Sequence, residues 1–533
     1  MNTPASFPSR RSVVMGYGGV VATSQPLAAQ AGLRMLLQGG NAADAAIAAA
    51  ATLNVVEPMS TGMGGDAFAL IYWAKERKVH ALNASGRAPY AATLEEFRRR
   101  GLRYVPSCGI LPVTVPGAVA GWADTLARFG TLGLDRVLAP AIEYAEHGFP
   151  VSELISRAWR GSEELLRQDT EAARVYLPTG HAPRTGQRFT SPELARSLRL
   201  VAANGPESLY QGPIAEAIVA TSRKHRGLLT MQDLADHTST WVEPIRTSYR
   251  GYGVHECPPN GQGIAALIAL NILSGYDLAA MPMTSADCLH LKMEAIKLAM
   301  TDAGRHVADP EKTYVPVQGL LAADYAAQRR ALIHMDKAIL VPEPGWPSAG
   351  HDTVYLCAVD SEGNAVSFIN SLYSGFGSGL VAEGTGIALQ NRGNLFSLDP
   401  TSPNVIAPHK RPYHTIIPCM VTHDDSLAIC FGVMGGFMQP QGHVQVLSNI
   451  VDHGMDVQQA LDAPRFYYQQ GDQYLIESSY PSATHDALRQ RGHALTCAEG
   501  GVFGGGQVIM VDPESGAYLA GSEPRKDGCA VAF

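Results

Sequence analysis

The sequence predicts an α+β protein, and three observations lead to that prediction. Runs with a helical spacing of apolar residues dominate the first two-thirds of the chain. Short β-rich runs separated by turns dominate the part that follows residue 353. The 533 residues also include 54 glycines and 34 prolines, which implies many loops. A helix-rich first part followed by a strand-rich last part favours an α+β architecture with a seam near residue 350.

The first predicted element is a helix that begins near Ser24. Ser24 can cap the helix, Pro26 falls in its first turn, and Gly39 and Gly40 can end it. The preceding "SRRSVVMGYGGVV" has the paired arginines of a twin-arginine export signal, but its apolar patch is short and interrupted by glycines. Because removal of this region would discard a core helix, we expect a cytoplasmic protein without a signal.

The second helix, "NAADAAIAAAATLNVV", has Asn41 as its cap and Asp44 in the first turn. Beyond Asp44 it is apolar on every side, which predicts a buried helix, and it is too short to span a membrane. "STGMGGDAFALIYWA" then predicts a glycine-rich turn and a strand. Four more helices are predicted in the middle of the chain, in "AVAGWADTLARF", "LDRVLAPAIEYAEHG", "SPELARSLRLVA" and "ADCLHLKMEAIKLAMTDAGRHVA".

The last third is predicted to be mainly β-structure. The predicted strands are "TVYLCAVD", "NAVSFINSLY", "GIALQNR", "SLAICFGV", "QYLIES" and "GGQVIMVD". Two helices interrupt them, "HVQVLSNIVDHGM" and "VQQALDAPRF".

Composition excludes several classes of function. The formal net charge of −8 includes no basic run, so nucleic-acid binding is not predicted. The eight cysteines form no Cys-x-x-Cys pair, which indicates free thiols in a reducing compartment. The 17 histidines show no compact metal-ligand spacing, so neither a metal nor another cofactor is expected. "GFGSGL" and "GVFGGGQ" do not fit a dinucleotide or phosphate loop, and no Gly-x-Ser-x-Gly elbow is present.

Thr353 is the candidate nucleophile because of its position in the chain. It opens a predicted strand directly after "VPEPGWPSAG", a segment too rich in proline and glycine to fold regularly. A threonine at a strand start is usually only a β-former, and a hydroxyl needs a nearby base to attack. If the bond between Asp352 and Thr353 were cut, Thr353 would gain an α-amine with a pKa of about 8. One residue would then supply both the nucleophile and the base.

The sequence resembles the gamma-glutamyltransferase (glutathione hydrolase) family along essentially its whole length. The blocks that carry the resemblance, in the family's order, are "GGVVATSQPLAAQAGLRMLLQGGNAADAAIA", "GMGGDAFALIY", "GRAP", "VPGAVAGW", "EAIKLAMTDAGRH", "DTVYLCAVDSEGNAVSFINSLYSGFGSG", "KRPYHTIIP", "GGFMQPQGH" and "SEPRKDG". The family's members are N-terminal-nucleophile enzymes. The resemblance implies an αββα sandwich made from one proenzyme that cuts itself. The large fragment would be residues 1–352 and the small fragment residues 353–533.

The resemblance also assigns roles to single residues. Thr353 becomes the nucleophile, and Ser371 lies where the family places a hydroxyl close to it. Gly435 and Gly436 match the paired glycines of the oxyanion hole. Arg87 in "GRAP" matches the arginine that grips the substrate's α-carboxylate, a task that suits a planar guanidinium.

Several positions depart from the family's pattern. The acidic residue that pairs with a substrate ammonium falls at Leu395, and Arg392 precedes it in "LQNRGNLF". The family's asparagine after the nucleophile strand is Tyr373 here. Its paired serines are His414 and Thr415. Carboxylate binding is therefore expected to persist, through Arg87 with Arg392 or His414, whereas amine binding is expected to be lost.

These departures favour a small substrate that has a carboxylate and a scissile amide but no α-amine. They resemble the oxamate amidohydrolase and cephalosporin (glutaryl) acylase branches, and we place an oxamate-like amide first. Glutathione or another γ-glutamyl compound remains an alternative, as does a non-catalytic relative that only binds a small acid. The two fragments are expected to stay associated, and a dimer of such heterodimers remains open. No nucleic-acid or membrane partner is expected.

Overall fold

The computed structural model describes residues 11–339 and 352–533. Its strands are β1 (Val14–Gly16), β2 (Gly19–Thr23), β3 (Asp66–Trp73), β4 (Lys78–Ala84), β5 (Phe149–Pro150), β6 (Arg188–Phe189), β7 (Thr240–Val242), β8 (Ile245–Tyr249), β9 (Tyr252–Glu256), β10 (Asp352–Asp360), β11 (Ala365–Tyr373), β12 (Val381–Ala382), β13 (Ile387–Ala388), β14 (Cys419–His423), β15 (Ser426–Met434), β16 (Phe466–Gln470), β17 (Gln473–Glu477), β18 (Ala494–Ala498), β19 (Gly505–Val511), β20 (Tyr518–Ser522) and β21 (Cys529–Ala532).

The helices are α1 (Pro26–Leu37), α2 (Ala42–Val56), α3 (Leu94–Arg99), α4 (Ala118–Phe129), α5 (Leu134–His147), α6 (Glu153–Gly161), α7 (Glu163–Leu166), α8 (Thr170–Tyr176), α9 (Pro192–Asn204), α10 (Glu207–Tyr210), α11 (Pro213–Lys224), α12 (Met231–Ala235), α13 (Gly263–Leu273), α14 (Ala286–His306), α15 (Val317–Leu320), α16 (Ala323–Arg330), α17 (Met438–Val451), α18 (Val457–Asp462) and α19 (Ser482–Gln490). Two 3-10 turns lie at Arg392–Leu395 and Gly500–Phe503.

Two seven-stranded antiparallel sheets form the centre of the molecule. One has the strand order β21-β2-β10-β11-β3-β4-β7, and the other has the order β1-β20-β19-β15-β14-β9-β8. The sheets stack face to face over a buried layer that includes Phe68, Tyr355 and Met420. Helices α1 and α2 cover the outer face of the first sheet, and α13, α14 and α17 cover that of the second. The result is the four-layer αββα arrangement that the resemblance implied.

Local sequence explains why α2 lies inside the molecule. The Asn41 side chain accepts hydrogen bonds from the N–H groups of Ala43 and Asp44, and the Asp44 carboxylate accepts one from the Asn41 N–H. The predicted cap is therefore a full capping box. Every residue of α2 is buried. Its alanines therefore allow close packing against neighbouring helices and the first sheet without any polar face.

Two local predictions were wrong. Gln25, not Ser24, caps α1, because the Gln25 side chain accepts from the N–H groups of Leu27 and Ala28 while the Ser24 hydroxyl donates to Glu57 at 2.7 Å. In "GIALQNR" only the two residues of β13 are a strand. The polar residues that follow turn inward instead of continuing a ladder, as when Gln390 donates to Asp66.

Both sheets combine strands from each side of the bond between residues 352 and 353. In the first sheet, β10 pairs with β2 on one side and with β11 on the other. In the second sheet, β14 pairs with both β9 and β15. The boundary expected near residue 350 therefore divides the chain into two parts, but each sheet contains strands from both parts. Within the described ranges, no helix is long and apolar enough to cross a membrane.

Candidate active site

The candidate nucleophile lies at the start of a central hairpin. The register of β10 and β11 pairs Val354 with Asn370 and Asp352 with Tyr373, and an irregularity lies between these two pairs, at Thr353. At this irregularity Thr353 lies across the hairpin from Ser371. Thr353 Oγ1 lies 3.1 Å from Ser371 Oγ, and both residues are buried. Bulges next to strand ends commonly aim a side chain into a site.

Tyr373 ends the same hairpin in an unusual backbone conformation. Its φ of +81° lies in the left-handed region, which a tyrosine adopts only where the surroundings impose it. Its N–H donates to Ser371 Oγ at 2.8 Å, which fixes one lone pair of that hydroxyl. Ser371 Oγ therefore accepts from the Tyr373 N–H while it lies 3.1 Å from Thr353 Oγ1.

A buried cation stacks on the Tyr373 ring. Arg392 has no exposed surface, and its Cζ lies 4.5 Å from the ring centroid. Its Nη1 donates to Thr415 Oγ1 at 2.7 Å. Among the described residues, its Nε and Nη2 have no hydrogen-bond partner, although Nε is 3.9 Å from Asp66 Oδ2. Burial lowers the pKa of Arg392 to about 10, which still leaves the guanidinium charged at neutral pH. Two donors on a buried charge are therefore available to a ligand.

Asp66 supplies the negative charge near this cation. Its Oδ1 accepts from the Gly86 N–H at 3.0 Å and from Gln390 Nε2 at 2.8 Å, and its Oδ2 lies 2.9 Å from His414 Nε2. Burial opposes ionisation of Asp66, but the bond to His414 and the charge of Arg392 outweigh it, and the pKa of Asp66 is lowered. Burial lowers the pKa of His414 to about 3, so His414 is neutral and donates from Nε2.

Asp66 also pairs with Ser371 across β3 and β11, which places this network beside the hydroxyl pair. Sequence analysis did not identify Asp66 as a site residue. The signal was present, because an acidic residue directly after a glycine turn opens an otherwise apolar strand.

Gly435 and Gly436 lie where β15 gives way to α17, and both have positive φ, at +131° and +59°. These values favour glycine, and successive N–H groups in such a turn form a concave anion site. No hydrogen bond from either N–H is found among the described residues. Gln262 Nε2 bridges the carbonyls of Thr415 and Gly436 at 2.7 and 2.9 Å, which ties this turn to the Arg392 network.

Arg87 occupies a different environment. Its Nη2 donates to both carboxylate oxygens of Glu311, at 3.0 and 2.9 Å, and Arg411 donates to the same carboxylate at 3.0 Å. Burial and the neighbouring Arg87 lower the pKa of Arg411 to about 10. The sequence predicted neither Glu311 nor Arg411 as a partner, since nothing in the chain order indicates their pairing. Arg87 Nη2 must release Glu311 before it can hold a substrate carboxylate, whereas Arg87 Nε is buried without a hydrogen-bond partner among the described residues.

Two further buried groups have the side chains and spacing to hold a metal ion. Glu256, Cys419 and His443 form one, and His290, Glu294 and His493 form the other. In the first, His443 Nδ1 lies 2.7 Å from Glu256 Oε1. In the second, the Glu294 carboxylate is already paired with the Lys297 ammonium at 2.8 Å. These atoms have protein partners, whereas Glu256 Oε2, His443 Nε2 and His493 Nδ1 are buried without a hydrogen-bond partner among the described residues. All eight cysteines are free.

The structure therefore brings most of the predicted residues together. A chain of contacts joins Thr353, Ser371, Tyr373, Arg392, Thr415 and His414, and Gln262 adds Gly436. Arg87 is bound elsewhere. The segment "VPEPGWPSAG" lies outside the described residues, so the predicted tether before Thr353 is not described.

The chain resembles known proteins over nearly its full length. The Gamma-glutamyltranspeptidase family model matches residues 28–533. The chain is 38% identical to the Glutathione hydrolase-like YwrD proenzyme of Bacillus subtilis (strain 168), over 98% of this chain and 99% of that protein. It is 34% identical to the Oxamate amidohydrolase proenzyme of Klebsiella pneumoniae subsp. pneumoniae, over 97% and 98%. The crystal structure of cephalosporin acylase from Bacillus halodurans superposes with a TM-score of 0.94 at 47% identity and covers 100% of this chain and 99% of that one.

Proposed function

The chain belongs to the gamma-glutamyltranspeptidase family of amide hydrolases that use an N-terminal threonine, and we propose that Thr353 is that threonine. The observation that carries the proposal is the 3.1 Å contact between the buried hydroxyls of Thr353 and Ser371. The parts needed for acyl transfer are a hydroxyl pair at a strand start and a glycine turn whose N–H groups can stabilise an oxyanion. The N–H groups of Gly435 and Gly436 have no hydrogen-bond partner among the described residues.

The first reaction is cleavage of the protein's own chain. The Thr353 hydroxyl oxygen attacks the carbonyl carbon of Asp352, and the peptide C–N bond breaks as the C–O bond of an ester forms. The hydroxyl proton ends on the Thr353 nitrogen, which becomes a free amine. Water then hydrolyses the ester and restores the Thr353 hydroxyl. The products are residues 1–352 and 353–533, which remain associated because both sheets contain strands from each fragment.

The second reaction is cleavage of a substrate amide. The freed α-amine, with a pKa of about 8, takes the proton of the Thr353 hydroxyl as its oxygen attacks the substrate carbonyl. Ser371 holds the hydroxyl in place. The N–H groups of Gly435 and Gly436 receive the developing oxyanion, and each such donor contributes about 3–4 kcal/mol to the transition state. The amine of the substrate leaves with a proton, and water hydrolyses the acyl ester.

We assign the substrate carboxylate to Arg392. Its Nε and Nη2 lack hydrogen-bond partners among the described residues, whereas Arg87 Nη2 is bound by both oxygens of Glu311. A carboxylate on Arg392 would pair a buried charge that otherwise has only one hydrogen bond, to Thr415. Stacking on Tyr373 holds the guanidinium plane, so that both donors point in a fixed direction. Arg87 remains a predicted binding residue for the substrate carboxylate.

Among the described residues, the same network has no acidic side chain that is free of other partners and could pair with a substrate ammonium. Leu395 stands where the family places an acid. Asp66, the buried acid nearest Arg392, already accepts from Gly86, Gln390 and His414. A substrate with a carboxylate but no α-amine fits such a site, because a buried ammonium without a partner is costly.

An oxamate-like amide is therefore the leading substrate. A glutaryl amide is the second candidate, supported by the 47% identity to the cephalosporin acylase of Bacillus halodurans. A γ-glutamyl compound is placed third, because it differs from the glutaryl compound by the α-amine that this site does not accommodate.

One matched pair of substrates tests this order. Glutaryl-p-nitroanilide and γ-glutamyl-p-nitroanilide differ only in the α-amine, and oxamate can be followed by ammonia release. We expect turnover of oxamate or the glutaryl anilide and a much lower kcat/KM for the γ-glutamyl anilide. A higher kcat/KM for the γ-glutamyl anilide than for the other two would overturn the substrate assignment.

A second experiment tests processing itself. Mass spectrometry should show two fragments for the wild type and one full-length chain for Thr353→Ala. Thr496→Ala, in exposed β18, is the matched control and should be cut like the wild type. A fully active wild-type protein that remains one uncut chain would exclude Thr353 as an N-terminal nucleophile.

The variant Glu311→Gln tests whether Arg87 or Arg392 binds the substrate carboxylate. It removes the charge that holds Arg87 and Arg411 without touching Arg392. We expect the KM for a carboxylate substrate to be unchanged. A clear fall in KM would instead assign the carboxylate to Arg87.

A further inference from the structure

Asn391 is a buried residue beside the candidate active site that the proposed mechanism does not use. It has no exposed surface and directly precedes Arg392 in the chain. Its side-chain oxygen accepts from the Ser374 N–H at 3.1 Å, and its own backbone N–H donates to the Leu372 carbonyl at 3.3 Å. Asn391 therefore holds the chain on both sides of Tyr373.

The Asn391 amide is itself held by the loop between α3 and α4. Its Nδ2 donates to the Ser107 carbonyl at 2.6 Å. Because the amide oxygen faces an N–H group and the amide nitrogen faces a carbonyl, one orientation of the amide satisfies both neighbours. The Asn391 side chain thus connects this loop to the residue that follows β11.

Tyr373 needs such contacts because its backbone is strained. Its φ of +81° is costly for a tyrosine, and a residue in this region persists only where its neighbours impose the conformation. Hydrogen bonds to the residues before and after Tyr373 do so directly, since they fix where the chain enters and leaves it. The family's asparagine at this position adopts a positive φ more readily than tyrosine, so the tyrosine depends more strongly on these bonds.

The backbone conformation of Tyr373 has two consequences for the site. It directs the Tyr373 N–H to Ser371 Oγ at 2.8 Å, and Ser371 Oγ lies 3.1 Å from Thr353 Oγ1. It also places the Tyr373 ring against the Arg392 guanidinium, whose Cζ is 4.5 Å from the ring centroid. One strained residue thus sets the position of both the hydroxyl pair and the buried cation.

We propose that Asn391 is a positioning residue that imposes the left-handed conformation of Tyr373 and so aligns the Ser371 hydroxyl with the nucleophile. The inference rests on the proposed function, because it assumes that the Thr353 hydroxyl cuts the chain. The Asn391 side chain binds the Ser374 N–H and not the reacting atoms, so its effect is transmitted through Tyr373.

The rate of self-cleavage tests this role. Intact-mass spectrometry follows the cleavage of the full-length chain over time after cell-free synthesis. Asn391→Ala removes both side-chain hydrogen bonds, and we expect the rate to fall about tenfold or more, as for the loss of one or two hydrogen bonds. Asn394→Ala is the matched control, because the Asn394 side chain donates to the Val105 carbonyl of the same loop at 2.6 Å. It should be cut at the wild-type rate.

A second measurement uses Tyr373→Gly, because glycine adopts a positive φ without strain and no longer needs the Asn391 contact. Adding Asn391→Ala to Tyr373→Gly should therefore change the rate of self-cleavage by less than about twofold. A purely structural role of Asn391 would instead slow both backgrounds equally. Since this comparison does not use Asn391→Ala alone, it still decides the question if that single variant does not fold.

Each alternative result has a defined meaning. An unchanged rate in a folded Asn391→Ala, or equal slowing by Asn394→Ala, would overturn the proposal. So would a Tyr373→Gly chain that stays uncut, because the site would then need the ring and not the backbone conformation. The proposed function fails in a different way, namely if the wild type stays uncut or if Thr353→Ala is still cut between residues 352 and 353.

Discussion

Replacing Arg392 by methionine should raise stability while it removes activity. Burial lowers the pKa of Arg392 from the ordinary guanidinium value to about 10. One pKa step corresponds to about 1.4 kcal/mol, so holding this charge costs the folded protein about 3 kcal/mol. The cost is fully present at neutral pH, because below pH 10 the group is protonated in both the folded and the unfolded chain. Methionine removes the charge and loses the bond to Thr415, part of the stacking on Tyr373 and the 3.9 Å approach to Asp66. The Asp66 carboxylate keeps its hydrogen bonds to Gly86, Gln390 and His414.

The expected free energy of unfolding of Arg392→Met is therefore equal to the wild-type value or up to about 3 kcal/mol higher. Activity should change in the opposite direction. Two charge-assisted hydrogen bonds to a carboxylate contribute about 1.5–3 kcal/mol each, so kcat/KM should fall by a factor of about 10² to 10⁴. Denaturant unfolding, measured with Thr353→Ala in both proteins so that each is one chain, gives the stability. Steady-state kinetics on processed protein gives kcat/KM.

Arg465→Met is the matched control. Arg465 is an equally buried arginine, but it is paired with Glu523 at 2.9 Å and donates to the carbonyls of Phe503 and Leu461. Its loss should destabilise the protein by about 3–5 kcal/mol, because it removes a partner from a buried carboxylate. If Arg392→Met lost stability in the same way and kept its turnover, Arg392 would be a structural cation, and the assigned carboxylate contact would be refuted.

Three further predictions follow from the described contacts. Below pH about 8, kcat/KM should fall about tenfold per pH step, because the Thr353 amine must be unprotonated to act as a base; a flat profile from pH 6 to 8 would exclude that amine. Lys297→Met should lose about 3–5 kcal/mol in denaturant unfolding, since it leaves Glu294 buried without its cation, and adding Glu294→Gln should restore part of the loss. Asn41→Ala should lose about 1–2 kcal/mol by the same measurement, because it removes the cap of α2 and the bond to the Phe129 carbonyl.

Elements with strong local signals were predictable from the sequence. The cap and the apolar composition of α2 were read correctly, and the hairpin of β10 and β11 was recognised from its β-rich runs and turn. Ser24 failed as a predicted cap because serine and glutamine can both accept from helix N–H groups, and only the fold decides that Ser24 donates to Glu57. A pattern of neighbouring residues in the sequence does not show which of two possible caps the folded protein uses.

The candidate site was only partly predictable, for a related reason. Thr353 was identified from its position at a strand start after a proline- and glycine-rich segment, and Ser371 was identified only through the family resemblance. Their contact lies within one hairpin. Asp66 was missed because its importance depends on partners from distant parts of the chain, among them His414. Arg87 was assigned by its motif alone, and its pairing with Glu311 depends on a loop that no motif links to it.

The position of β10 explains how a cut in the chain can create a catalytic group without rearranging the site. β10 is hydrogen-bonded to β2, which precedes the bond between residues 352 and 353, and to β11, which follows it. The regular ladder to β11 begins at Val354 and the ladder to β2 begins at Leu356, so both hold the strand directly after Thr353. The Thr353 hydroxyl already faces Ser371 in the uncut chain. Cleavage adds an amine at a point that the fold has fixed in advance, so the reorganisation cost is small. The processed enzyme should consequently unfold as one cooperative unit. Separate transitions for the two fragments would show that the sheets do not couple them as their strand order implies.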